Sequence, residues 1–84
     1  MMKVTIKAGG MFAKNLPPSR EGNQAEIDLE EGSTPIDVLR VLSLPADGGY
    51  LMILNGESVP KSERGSRQLS EGDLLAIMPP LRGG

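Results

Sequence analysis

Hydrophobic and polar residues alternate strictly in two early stretches of the chain. From Met2 to Ala8, residues Met2, Val4, Ile6 and Ala8 share one face, and Lys3, Thr5 and Lys7 share the other. A period of two is the signature of a strand buried on one side. Gln24 to Glu30 repeats it, with Ala25, Ile27 and Leu29 inward and Glu26, Asp28 and Glu30 outward. These two strands are expected to pair antiparallel across a long, mobile loop. The outward carboxylates would suit an acidic docking strip, but such charges more often keep a sheet edge soluble and unpaired.

Inside that loop Gly9-Gly10 ends the first strand, and Met11, Phe12, Ala13 and Leu16 precede Pro17-Pro18 and a polar run. Met11 and Phe12 admit two readings. The favoured one is a loop folded back to cap the core, and the sharper one is an apolar patch exposed for a partner. After Glu31 the hydrophobic period lengthens, because Val38, Leu39 and Leu42 share a face at helical spacing. Thr34 suits the N-cap, Pro35 the first helical position, and Asp37 the positive end of the helix dipole. Thr34 and Asp37 form a weaker relative of the capping box, which prefers Glu or Gln. Pro45 is expected to close this short helix at Ser43 or Leu44.

Ala46 to Gly49 reads as a turn. Tyr50–Leu54 and Leu74–Met78 are apolar on both sides, as inner strands are, so their facing stays open. Asn55-Gly56 is a strong hairpin signal, Glu57-Ser58-Val59 a brief return strand, and Pro60 suits an edge. Lys61 to Gln68 is polar and irregular. Its Lys61, Arg64 and Arg67 are expected in a solvated loop, with contact to an acidic partner as the alternative. Leu69 reads as a core plug before the turn Ser70 to Asp73. The order is strand, strand, helix, strand, short strand, strand. That predicts an α+β domain, a mixed sheet of four to five strands with one main helix packed on one face. Its two late strands carry more apolar surface than one helix covers. An exposed patch and a patch hidden by long loops are equally consistent with this.

Composition narrows the chemistry. The 84 residues suffice for one domain with a modest core, and aromatics are only 2% of them, so aliphatics and five methionines do the packing. A formal net charge of −2 argues against nucleic-acid binding, which wants a basic face. No segment approaches the roughly 20 apolar residues of a membrane span, and the start lacks a signal peptide's apolar stretch. A cytoplasmic protein is expected. Without cysteine or histidine, the usual nucleophile, base and metal ligands are missing, so no catalytic residue, no metal site and no permanently bound cofactor is expected.

The remaining feature is Pro79-Pro80-Leu81-Arg82-Gly83-Gly84. Residues 1–78 read as the domain and 79–84 as an extended, flexible tail. Pro79 and Pro80 favour an extended course, and Gly83 and Gly84, lacking Cβ, suit passage through a narrow channel. Fully extended, the tail reaches roughly 20 Å, at about 3.3 Å per residue. It can carry a carboxylate into another protein's active site. Arg82 would pair with an acidic group of such a channel, or else only keep the tail soluble.

Several motifs occur in a fixed order: Gly32-x-Thr34 before Val38-Leu39-x-x-Leu42, Leu54-Asn55-Gly56, Leu69-Ser70-Glu71-Gly72-Asp73, Met78-Pro79-Pro80, and Gly83-Gly84. In that order they resemble the MoaD/ThiS sulfur carriers over nearly the whole chain. The resemblance implies a ubiquitin-like β-grasp fold, with Pro79-Pro80 closer to the small subunit of molybdopterin synthase than to the thiamine carrier. It implies that an ATP-using, ubiquitin-activating-type (MoeB/ThiF-like) enzyme adenylates Gly84 and that sulfur then displaces AMP to leave a thiocarboxylate. The acceptor would be a MoaE-like large subunit of molybdopterin synthase or another sulfur-acceptor enzyme. Pro79, Pro80, Leu81, Arg82 and Gly83 would thread into the partner, with Met11, Phe12 and Met78 as candidate partner surface. Leu81-Arg82-Gly83-Gly84 also looks like the end of ubiquitin, so a modifier conjugated through Gly84 is the alternative. A plain interaction domain with an incidental tail is the third possibility.

Overall fold

The computed structural model describes residues 1–80. Five strands form one mixed sheet: β1 (Met2–Ala8), β2 (Gln24–Leu29), β3 (Leu51–Leu54), β4 (Glu57–Ser58) and β5 (Leu74–Met78), in the order β2-β1-β5-β3-β4. The single α-helix, α1 (Pro35–Val41), crosses one face. This is the β-grasp arrangement.

The two alternating stretches pair as their patterns predict. β1 and β2 run antiparallel, with Val4 opposite Ile27 and Ile6 opposite Ala25. Because cross-strand partners share a face, this register puts every apolar residue of both strands on the buried face. β2 lies at the sheet's edge and keeps Glu26 and Asp28 exposed. β1 then pairs parallel with β5, Ile6 opposite Leu75 and Ala8 opposite Ile77. β3 pairs antiparallel with β5. Met2, Val4, Ile6, Ala25, Ile27, Leu29, Met52, Leu54, Leu75 and Ile77 meet Val38, Leu39 and Leu42 of the helix in one core.

The helix starts as its sequence dictates. The Thr34 N–H donates to Asp37 Oδ2 at 2.9 Å, so the shorter Asp completes a capping box. It ends at Val41, earlier than Pro45 alone would require. Ser43 turns left-handed at φ 59°, the Leu44 N–H donates to the Leu39 carbonyl at 2.8 Å, and the Ser43 N–H to Arg40 at 3.1 Å. These two bonds are a Schellman motif, built on serine where glycine is usual. The hairpin is equally local in origin. Asn55 and Gly56 take φ 50° and 88°, the two positive angles of a type I′ turn.

Two connections are more ordered than the sequence suggests. Gly10–Asn15 forms a 3-10 helix rather than a mobile loop, held at its end by Asn15 Nδ2 donating to the Leu42 carbonyl at 2.9 Å. Lys61–Glu63 forms a second 3-10 helix, and the expectation of a solvated loop fails at Arg64, which is 2% exposed. Its guanidinium donates to the carbonyls of Ala46, Gly48 and Tyr50 at 3.1, 2.8 and 2.8 Å. Those carbonyls belong to the turn after the helix and have no regular ladder to satisfy them. Arg64 supplies the missing donors, and only its Nε lacks a partner among the described residues. Leu69 is the buried plug its position implies.

Candidate functional site

Strand facing, left open by the apolar runs of β3 and β5, is settled by register. Met52, Leu54, Leu75 and Ile77 face the helix, so Leu51, Ile53, Leu74, Ala76 and Met78 face away from it. Leu51 lies opposite Met78 and Ile53 opposite Ala76, which gathers these side chains into one patch. Leu51 is 39% exposed and Leu74 41%. Ile53, Ala76 and Met78 between them are half-buried, so the strip presents two exposed leucines on an apolar background, the kind of surface an interaction site uses. The same face of β1 and β2 is charged, carrying Lys3, Lys7, Glu26 and Asp28, with Lys3 Nζ 3.7 Å from Asp28. A groove of about 740 Å³ runs along this charged half, lined by Lys3, Thr5, Glu21, Glu26 and Asp28. It holds a mixture of charges rather than a convergent acid–base set.

β5 carries the chain to the edge of the apolar patch. β5 ends at Met78, and Pro79 and Pro80 follow it exposed. Leu81, Arg82, Gly83 and Gly84 lie outside the described residues. The Met78 side chain belongs to the patch, so Pro79 and Pro80 continue directly from that surface.

The structure separates Met11 from Phe12. Met11 is 69% exposed, whereas Phe12 packs on the core and meets Tyr50 edge to face, ring centroids 5.0 Å apart. Phe12 and buried Leu16 therefore cap the core. Tyr50 is sandwiched further, because Arg64 lies 5.6 Å over its ring centre and Gly48 presses against it with no room for a Cβ. Burial pushes the Tyr50 phenol above its ordinary value of 10.0; nearby Arg64 works against that shift, and Asp47 adds to it. None of this was visible in the sequence, where Tyr50 only opens an apolar run.

Among the described residues no three His, Cys, Asp or Glu side chains gather to hold a metal, and no helix is long and apolar enough to cross a membrane.

Comparison with known proteins places this architecture. Residues 17–84 match the model of the ThiS family. Among curated proteins, none matches by sequence. The fold is similar to a protein from Pyrococcus furiosus assigned as molybdopterin converting factor, subunit 1. That likeness has a TM-score of 0.71 at 20% identity, over 96% of this chain and 100% of that one. It is similar as well to small archaeal modifier protein 1 of Haloferax volcanii, with a TM-score of 0.72 at 19% identity over 96% and 100% of the two chains. Urm1 from Trypanosoma brucei superposes with a TM-score of 0.62 at 15% identity, over 98% and 95%. At such identities these likenesses establish the fold, while the family match covers most of the sequence. The chain therefore belongs to the ThiS family of ubiquitin-like sulfur carriers.

Proposed function

We propose that this protein carries sulfur for molybdopterin synthesis on the carboxylate of Gly84. Carriers of the family are not themselves catalysts; an E1-like enzyme activates them by adenylation, and thiocarboxylation follows. One observation carries the reading furthest. The apolar patch of Leu51, Ile53, Leu74, Ala76 and Met78 runs directly into the Pro79-Pro80 root of the tail. A partner seated on the patch has the tail entering its own surface at the edge of the contact. The activating enzyme is the occupant that this continuity favours, because it must hold the domain and the reacting carboxylate together.

A carboxylate is a poor electrophile, so activation comes first. A Gly84 oxygen attacks the α-phosphorus of ATP and pyrophosphate leaves. Hydrosulfide then adds to the acyl carbon, the acyl–phosphate C–O bond breaks and AMP leaves, giving the thiocarboxylate and one released proton. Pro79 and Pro80 follow β5 exposed and favour an extended course, and Gly83 and Gly84, lacking Cβ, suit the narrow approach to a reacting centre. The chain has no cysteine, so no thiol of its own competes for the activated end. The Pro79-Pro80 pair supports the small subunit of molybdopterin synthase over a thiamine carrier.

Leu81-Arg82-Gly83-Gly84 favours a second reading, a modifier conjugated through Gly84 to lysines of other proteins. One experiment separates the two. The tagless protein is purified from its host beside a Gly84-deleted control, and intact mass and tail peptides are measured. Sulfur carriage predicts a gain of about 16 Da mapped to Gly84, a position that distinguishes it from oxidation of a methionine, which adds nearly the same mass. Lysine conjugates without the thiocarboxylate would replace the carrier reading with the modifier.

A further inference from the structure

Among the described residues, the root of the tail is held by packing and not by its own hydrogen bonds. Pro79 and Pro80 have no backbone N–H, so neither can donate to the neighbouring strand. Bonding between β1 and β5 closes just before them, where the Gly9 N–H donates to the Ile77 carbonyl at 2.9 Å. What lies against the root is the backbone of Gly9 and Gly10. A Cβ on Gly9 would stand 2.9 Å from Met78 Sδ and 3.1 Å from its Cε. A Cβ on Gly10 would stand 3.3 Å from Pro79 Cγ.

We propose that Gly9 and Gly10 form a shelf that aims the tail, acting as positioning residues for delivery of the Gly84 carboxylate. This rests on the carrier reading above. The two glycines differ in rigidity of neighbour. Met78 ends in a flexible thioether that can swing away from a side chain at position 9. Pro79 presents a ring fused to its own backbone, so a side chain at position 10 pushes on the root of the tail by a few tenths of an ångström unless the ring changes pucker. Gly10 opens a 3-10 helix pinned by the Phe12–Tyr50 contact, by buried Leu16 and by the bond from Asn15 to Leu42. The apolar patch keeps its composition in such a variant, so docking survives while the carboxylate arrives misplaced.

Gly10 sits at φ +57°, a left-handed angle that asparagine tolerates better than other side chains. Gly10→Asn therefore adds the obstructing side chain with little backbone strain. Gly22→Asn is the control, since Gly22 has φ +64° and nothing within 4 Å of its Cβ position. Each full-length variant is titrated into carrier-dependent ATP–pyrophosphate exchange with the host's activating enzyme, and thermal unfolding is measured alongside. Gly10→Asn is expected to lower kcat roughly three- to tenfold with KM nearly unchanged. Gly22→Asn should leave both unchanged. Adding Pro79→Ala should cost less in the Gly10→Asn background than in the wild type, because the two residues act through one contact. Equal losses in both asparagine variants, a change in KM alone, or full additivity with Pro79→Ala would overturn the shelf. A nuclear Overhauser contact between Gly10 Hα and the Pro79 ring, read in the isolated protein, tests the placement without the enzyme, and its absence overturns the proposal. If that contact is present but wild type supports no exchange, the carrier reading falls and the delivery role with it.

Discussion

At the scale of single residues, the fold places three side chains in unusual settings. Ser43 occupies the left-handed position that ends α1, and its side chain is exposed. A non-glycine residue there costs about 1–2 kcal/mol, partly offset by the greater freedom glycine loses on folding. Ser43→Gly is therefore expected to stabilise the protein by about 0.5–1 kcal/mol, read as a higher urea midpoint at unchanged m-value. Tyr50 and Arg64 explain each other, since the arginine satisfies the Tyr50 carbonyl and lies over its ring. The Tyr50 phenol is harder to ionise in the folded state than in the unfolded chain. Between its unfolded and folded pKa values the native state binds more protons, so stability falls as pH rises. Its contribution is complete below pH 10.0 and is lost as the pH passes upward through the folded pKa. Tyr50→Phe should flatten this alkaline limb in denaturation curves measured across pH and change little near neutrality. Arg64 was illegible in the sequence for a simple reason. A cation in a polar run looks solvated until the turn whose carbonyls it serves has been folded over it.

At the scale of elements, local signals wrote most of the structure. The capping residues of α1 and the Asn55-Gly56 turn act within a few positions of themselves, so their outcome does not wait for the rest of the chain. The hairpin nonetheless has a long-range task. Asn55 Nδ2 donates to Asp73 Oδ1 at 2.9 Å, and its Oδ1 accepts from the Leu74 N–H at 2.9 Å, joining the turn to the start of β5. Asn55→Ala loses both bonds and places an unsuited residue at positive φ, an expected cost of about 2 kcal/mol. Asn55→Gly keeps the turn angle and should cost about half as much, about 1 kcal/mol. Equal losses in chemical denaturation would mean that only the turn angle matters. The 3-10 helix of Gly10–Asn15 lacks comparable signals, because its stability comes from Phe12, Asn15 and Leu16 meeting distant partners.

At the scale of the whole molecule, one face of the sheet is closed by the helix and the other presents an apolar half and a charged half. Leu51 and Leu74 are already partly solvated, so replacing each by Ser should cost folding about 1–2 kcal/mol, less than at a fully buried leucine. In carrier-dependent pyrophosphate exchange each is expected to raise KM roughly tenfold with kcat held, as loss of one buried leucine contact would. An unchanged KM would remove the patch from the docking site. The sequence by itself determined the elements with strict period or explicit caps: the β1 and β2 faces, the helix start and the hairpin. It also carries the family's motifs in order, ending at Gly83-Gly84. Only tertiary structure decided which sides of β3 and β5 are buried, because a run apolar on both sides has no preferred facing until β5 takes its register against β1. The same pairing sets Gly9 and Gly10 beside Met78 and Pro79. Residues so far apart in sequence share no local pattern, and only the parallel strand pair brings them into contact.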